Sequence, residues 1–498
     1  MDRQASPGLL VGDLIRSNGA AVASAPAAWM AGRTLSHGEL DAASNRLAWR
    51  LSERGLGHGD RIAVWADTAL DVLVLFGATS KLGAVFAPLN ARHSVDEARE
   101  VAALARPAAL VADPERAQAA AALAGAIGGP PVFVLGREAL DWQAPGRDDA
   151  FVEPALAETD PHVVFFTSGS TGRPKGVVLS HRANWLRAFQ GVFRDEPERS
   201  VCMFPLFHMA GFTLALSAWQ TRGELALVAQ PTAEALLEAV EARRANRLYC
   251  IPAVWRRVLD TPAERHDTSS LRSVDTGTSA TPVELLRELM ERFPEATCRV
   301  YYGSTEVGSG TALSHADLLR KPGSVGLPSP GVELRLAASG EIQLRSPFAM
   351  DGYFDDPEAS AAAFDDGWFR TGDLGSLDDE GYLTIVGRLK EIIRTGGESV
   401  SPAEVEAALL THPDVEEVAV VGVPDPSWGE RVCAVVVARA GASPELADLQ
   451  AHCTARLASY KKPRQLERVD ALPRTAATGQ VQRALLVQRI LTDEAAVR

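Results

Sequence analysis

The sequence predicts a large α/β region followed by a small α+β unit, and three observations lead there. Between about residues 34 and 390, short apolar runs alternate with helix-like segments, the pattern of strands fed by helices. Beyond Lys390 that rhythm stops, and one helix start is followed by two Val-rich runs on either side of a turn-rich stretch. Thirdly, a loop of glycine and hydroxyl residues at 167–176 (TSGSTGRPKG) lies between the apolar runs 163–166 and 177–179. Both runs have strand character, so the loop joins two strands.

The elements follow in order. Strands are expected at Arg61–Trp65 and 84–88, with a helix at 69–79 between them, and an Ala-rich helix at 117–126. Asp378-Asp379-Glu380-Gly381 reads as a hairpin turn just before the join near Lys390. In the tail, Ser401-Pro402-Ala403-Glu404 spells a capping box with proline at the first helical position, so a helix starts there. Strands at 417–423 and 432–438 flank Pro424-Asp425-Pro426-Ser427-Trp428-Gly429, and Ser443-Pro444 opens a further helix.

Bulk properties narrow the class. A chain of 498 residues exceeds one ordinary core and calls for two or more domains. Its 46% hydrophobic and 23% charged residues are those of a globular protein. A net charge of −14 argues against a protein that grips nucleic acid by neutralising phosphates. Five scattered cysteines (Cys202, Cys250, Cys298, Cys433, Cys453), with no C-x-x-C pair, fit buried free thiols in a reduced, cytoplasmic protein. The N-terminus has no basic segment followed by a long apolar one, and the apolar run at 72–76 is soon followed by Lys81. No signal peptide or membrane span is expected.

The 167–176 loop suits a polyphosphate. Its three glycines let the backbone approach a ligand, Thr167, Ser168, Ser170 and Thr171 offer hydroxyls, and Lys175 a charge. No Walker A spacing occurs anywhere, and a plain surface turn is the bland alternative. With this loop, and with Tyr302-Gly303-Ser304-Thr305-Glu306 and Trp368-Phe369-Arg370-Thr371-Gly372-Asp373 in that order, the chain resembles the adenylate-forming superfamily over almost its whole length. That superfamily includes acyl-CoA synthetases, aryl-CoA ligases, luciferases and peptide-synthetase adenylation domains.

The resemblance implies the fold of those enzymes: residues 1–389 as an adenylate- and acyl-binding α/β domain, and 390–498 as a mobile α+β lid turning about Lys390. It implies ATP or an acyl-adenylate, CoA and Mg²⁺ as ligands, with Ser168, Gly169, Ser170, Thr171 and Gly172 around phosphate. Thr167, Lys175 and Glu306 are the catalytic positions so marked, and Glu306 offers a hard oxygen to Mg²⁺. Tyr302 presents an aromatic face to adenine, with Gly303, Ser304 and Thr305 beside the α-phosphate. Asp373 and Arg388 hold ribose, since a carboxylate can accept two vicinal hydroxyls, although singly they also read as a surface salt-bridge pair.

Gly277-Thr278-Ser279-Ala280 replaces the superfamily's G-G-A-P, so the side chains at 278 and 279 narrow the space between acyl pocket and adenine. His208 and Phe212 flank that pocket, where no acidic residue waits for an amino-acid ammonium. Gly396 and Gly397 line a pantetheine tunnel, or form a plain turn, or both.

One position departs from the pattern. The P-R-x-x-x-G-K segment of the superfamily reads Pro473-Arg474-Thr475-Ala476-Ala477-Thr478-Gly479-Gln480, with an extra residue and glutamine at the lysine position. Lysine screens a carboxylate against a triphosphate as the mixed anhydride forms, and an amide carries no charge to do so. Thioester formation does not use that lysine. The expectation is therefore an enzyme that converts acyl-AMP and CoA to acyl-CoA and AMP, with a separate adenylating enzyme as partner. Two other accounts stay open: a complete ligase in which Lys461, Lys462 or Arg483 substitutes, and a nucleotide binder without turnover. A luciferase-type oxygenase is not excluded by any residue.

Overall fold

The structure, a computed structural model, describes residues 8–168, 174–189, 196–454, 456–475 and 479–497. They form two compact units. The first holds the chain up to Arg320 with Pro328–Glu333 and Arg345–Phe369; the second holds Lys321–Leu327, Leu334–Leu344 and the chain from Arg370.

The first unit is a large α/β body with two sheets. In one, the parallel strands Arg61–Trp65, Val85–Leu89 and Ala109–Ala112 lie side by side, and Val85–Leu89 pairs with Pro161–Ser168. The helix Leu70–Leu82 that feeds it is apolar on nearly every side and accordingly buried almost throughout. Pro161–Ser168 pairs antiparallel with Pro174–Ser180, with Thr167 opposite Lys175 and Ser168 opposite Pro174. The expected strand–loop–strand is thus present, and Gly169, Ser170, Thr171 and Gly172 lie outside the described residues.

The second sheet runs Arg199–Cys202, Arg247–Tyr249, Ser273–Gly277 and Thr297–Ser304 as parallel neighbours, so their C-terminal ends share one edge. Ligands of parallel sheets are held at such edges. Gly308–Leu313 returns antiparallel to Thr297–Ser304, and the turn between them carries Thr305 and Glu306.

The second unit is the smaller α+β body. The expected Val-rich strands are there and run longer, Val415–Asp425 against Gly429–Ala438. Valines on alternate positions feed two faces, one closed by Val405, Leu409 and Leu449 and the other by Leu472, Leu486 and Ile490. The hairpin at Asp378 also forms: its Oδ1 accepts from the amides of Glu380 and Tyr382.

Two helix starts need correction. Helix Pro402–Leu409 begins where the proline put it, but Ser401 makes no side-chain cap. Its hydroxyl donates instead to the Val386 carbonyl, and Glu404 is drawn away by Lys461, so the capping box is unmade. The last-named helix starts at Leu446, two residues beyond Ser443-Pro444, because Glu445 and Asp448 build a capping box of their own. All five cysteines are free and buried, and no helix among the described residues is long and apolar enough to cross a membrane.

Candidate active site

In the first unit, three of the residues singled out from sequence are gathered by a fourth that was not. Lys175 places its ammonium 4.4 Å from the centre of the Tyr353 ring, and the Tyr353 hydroxyl donates to Glu306 Oε1 at 3.4 Å. Thr167 pairs across from Lys175. The strand pair Pro161–Ser168 with Pro174–Ser180 and the Glu306 turn are therefore joined through one phenol, whose ionisation is pushed up first by burial and then by the Glu306 charge. A sequence separation of 47 between Tyr353 and Glu306 hid this contact, and no motif pointed to it.

Arg187 was missed as well. From the end of helix His181–Arg187 its guanidinium donates to the Thr305 carbonyl at 3.1 Å and the Phe348 carbonyl at 2.7 Å. Burial lowers its pKa to about 10, opposed by Glu306 and Asp351, so it stays charged and braces the turn that presents Glu306. The backbone of Glu306 is fixed in addition by the Met350 amide at 2.6 Å. One carboxylate plus phosphate oxygens is a common magnesium arrangement, and Glu306 fits it; no cluster of three ligating side chains exists among the described residues.

Tyr302 lies half exposed two residues before the end of its strand, with a register shift between it and Gly303. Gly303 is required for a reason other than ligand approach: a Cβ there would stand 2.0 Å from the Gly308 carbonyl oxygen. Ser304 accepts weakly from the Val307 amide at 3.4 Å. At the neighbouring strand end, Gly277 lies under the Tyr249 hydroxyl and Tyr301 carbonyl. Thr278 adopts φ +68, a left-handed conformation rare for a β-branched residue, and its hydroxyl is buried without a partner; Ser279 is exposed. His208 caps helix Met209–Gln220, its Nδ1 accepting from the Ala210 amide at 3.2 Å, and its ring lies 5.8 Å from Phe204. Burial lowers its pKa to about 4, leaving a neutral imidazole. Phe212 is 2% exposed, its ring engaged by Phe76, Phe86 and Phe165.

In the second unit, Asp373 and Arg388 stand opposite each other and form a salt bridge at 2.9 Å, so the surface-pair alternative is realised in this state. Lys390 is exposed in the following turn. Gly396 and Gly397, both at positive φ, form the two-residue connection of the hairpin Ile393–Thr395 with Glu398–Val400, which only glycine-like residues turn easily. A Cβ on Gly396 would meet the Trp428 ring at 2.8 Å. Trp428 is 42% exposed and carries the Arg464 guanidinium 3.8 Å from its centre. Arg464 also lines, with Lys462, a surface cavity of about 400 Å³.

Gln480 is exposed and bonded to Thr475: the Thr475 amide donates to the Gln480 carbonyl at 2.8 Å, and the Gln480 amide to the Thr475 hydroxyl at 3.1 Å. Arg474 donates to the Gly479 carbonyl and to Glu417. Of the candidate substitutes, Lys461 pairs with Glu404 at 2.6 Å, and Arg483 with Glu391 and Glu406. The Lys462 ammonium donates to the Thr454 hydroxyl at 2.9 Å.

Comparison with known proteins agrees with this layout. The family model described as AMP-binding enzyme matches residues 16–354, and AMP-binding enzyme C-terminal domain matches 404–478. An indoleacetate–CoA ligase of Aromatoleum aromaticum is 36% identical over 471 residues, covering 89% of this chain and 91% of its own. A feruloyl-CoA synthase of an Amycolatopsis species is 36% identical, covering 90% and 92%. Among solved structures, ATP-bound MatB from Rhodopseudomonas palustris superposes with a TM-score of 0.87 at 32% identity, covering 96% and 98%.

Proposed function

The chain belongs to the AMP-binding enzyme family, and from that premise we propose that it makes acyl-CoA from an acyl-adenylate and CoA, while adenylating free acid poorly or not at all. One observation carries the second half: Gln480 is neutral, and two of the three candidate cations, Lys461 and Arg483, are committed to carboxylates. Without a cation, carboxylate and triphosphate repel in the adenylation transition state, and loss of one such contact costs about 10²–10³ in rate.

In the proposed reaction the CoA thiolate attacks the acyl carbon of acyl-AMP. The carbon–sulfur bond forms, the bond from that carbon to the phosphate oxygen breaks, AMP leaves with the electron pair, and the thiol proton goes to water. Tyr302 would stack on adenine, Thr305 and Lys175 face phosphate, and the Asp373 carboxylate accept from ribose hydroxyls. Magnesium, if adenylation occurs, would sit on Glu306 and screen phosphate charge. Gly396 and Gly397 would border the pantetheine. The Trp428–Arg464 stack beside Gly396, with Lys462, has the π-face and positive charge that the nucleotide end of CoA requires. Lys390 serves as the hinge position, and a separate adenylating enzyme would supply the substrate.

Two assays on purified protein test this reading: ATP–pyrophosphate exchange with free acid, and acyl-CoA formation from synthetic acyl-adenylate. The expected outcome is thioester formation with exchange about 10²–10³ below that of Gln480→Lys. Exchange in the unmodified chain as fast as in Gln480→Lys would refute it. Lys462 favours the second reading, a complete ATP-dependent ligase, because its ammonium donates to the neutral Thr454 hydroxyl and pairs with no carboxylate among the described residues. In that case exchange would be robust and Lys462→Met would abolish it.

A further inference from the structure

Around Gly277 the first unit gathers hydrogen-bonding groups that find no partner among the described residues. A Cβ on Gly277 would stand 2.7 Å from the Tyr249 hydroxyl, so that hydroxyl lies over the strand end. It makes no hydrogen bond to any described residue. The Thr278 hydroxyl is buried and unpartnered on a strained backbone. His208 uses Nδ1 as acceptor, which puts the proton of its neutral ring on Nε2, free to donate. Phe204 connects these groups, 5.3 Å from the Tyr249 ring and 5.8 Å from His208. Tyr301, opposite Gly277, is 6.1 Å from Tyr249.

The layer beneath sets a limit. Two residues before Tyr249 on the same sheet face is Arg247, and two before Gly277 is Asp275. Arg247 donates to Asp275 at 2.8 Å and to both oxygens of Glu198 at 3.2 Å, all three nearly or fully buried. Ser200, Ser217 and Ser273 bond the same carboxylates. An apolar channel cannot continue through these charges, because losing their partners would strand them in low dielectric.

We propose that Tyr249, with Thr278 and His208, forms a polar end wall to the acyl pocket, and that the acid this chain handles is compact, ring-sized and oxygen-bearing at the end remote from its carboxylate. The proposal rests on the acyl-adenylate reading above. A site with buried donors discriminates strongly against an analogue lacking the matching oxygen, since the donors are then left unpaired. Thr278 in place of glycine adds one such donor at the expense of backbone strain.

Binding of non-reactive acyl-sulfamoyl-adenosines by calorimetry tests it without requiring catalysis. Three acyl groups suffice: 3-(4-hydroxyphenyl)propanoyl, 3-phenylpropanoyl and dodecanoyl. The hydroxylated ring should bind about 10–100-fold tighter than the bare ring, and dodecanoyl weakest. Tyr249→Phe should bring the two rings level without changing affinity for the bare one, and Thr278→Val should narrow the gap severalfold. Equal affinity for the two rings, tightest binding of dodecanoyl, or a gap that survives Tyr249→Phe would overturn the proposal. AMP is the control: AMP binding without acyl preference sinks this inference alone, whereas no binding of AMP or any analogue sinks the adenylate reading too.

Discussion

The two units differ in the ion pairs that stand beside their candidate site residues. In the first, Glu198, Arg247 and Asp275 are all but removed from water and bonded to one another, and Arg187 is spent on two carbonyls behind Glu306. In the second, the Asp373–Arg388, Lys461–Glu404 and Arg474–Glu417 pairs all keep at least one partner substantially exposed. Buried pairs fix geometry and are expensive to break, whereas exposed pairs contribute little and can change partner. Under the function proposed above, the contrast would suit a division of labour in which one unit holds a nucleotide in a set pose and the other offers side chains that exchange partners during turnover.

The sharpest way to break that contrast is Arg247→Met, which strands Glu198 and Asp275. It should cost about 3–5 kcal/mol in a urea melt. A loss below about 1 kcal/mol would make the buried network no different from a surface pair.

A smaller effect comes from Lys81, whose ammonium is buried on Asp41 and Asn45 and whose pKa falls to about 8, burial outweighing Asp41. Between about 8 and the ordinary lysine value the unfolded chain binds the extra proton, so this group makes stability rise with pH across that window. The slope should reach at most about 1.4 kcal/mol per pH unit. Melts at pH 8 to 10.5 should show it, and Lys81→Met should flatten it; an unchanged slope would disprove the assignment.

The smallest effect is expected from Lys461→Met. Breaking its exposed pair with Glu404 should change stability by less than about 1 kcal/mol. It should also leave acyl-CoA formation from acyl-adenylate unaltered. A large loss in either assay would erase the distinction between the units.

Local signals carried well from sequence to structure, and long-range contacts did not. Arg61–Trp65 was legible as a strand because its pattern is short-range and apolar, and the Pro402 helix start because proline fixes its own φ. The 167–176 segment was legible as a strand connection for the same reason, but the strands run beyond the apolar runs, to Ser168 and from Pro174, and so bring Thr167 opposite Lys175. Tyr353 and Arg187 were not legible: each touches the Glu306 turn from a distant segment, and neither residue type signals such a contact. Gly303 has a requirement that its motif did not signal, since a Cβ there would strike the neighbouring Gly308 backbone. Phe212 reads as a pocket residue in a linear motif, while three-dimensional packing gives its ring to other phenylalanines.

Ser401 has an untapped alternative bond. Its hydroxyl reaches back across Lys390 to the Val386 carbonyl, and the Glu404 amide it could cap goes without that oxygen. With Lys390 as the hinge proposed above, rotation there would tear the first bond and free the serine to make the second, so one latch would close in either orientation of the chain. Deuterium uptake at the Glu404 amide would report which way it is thrown.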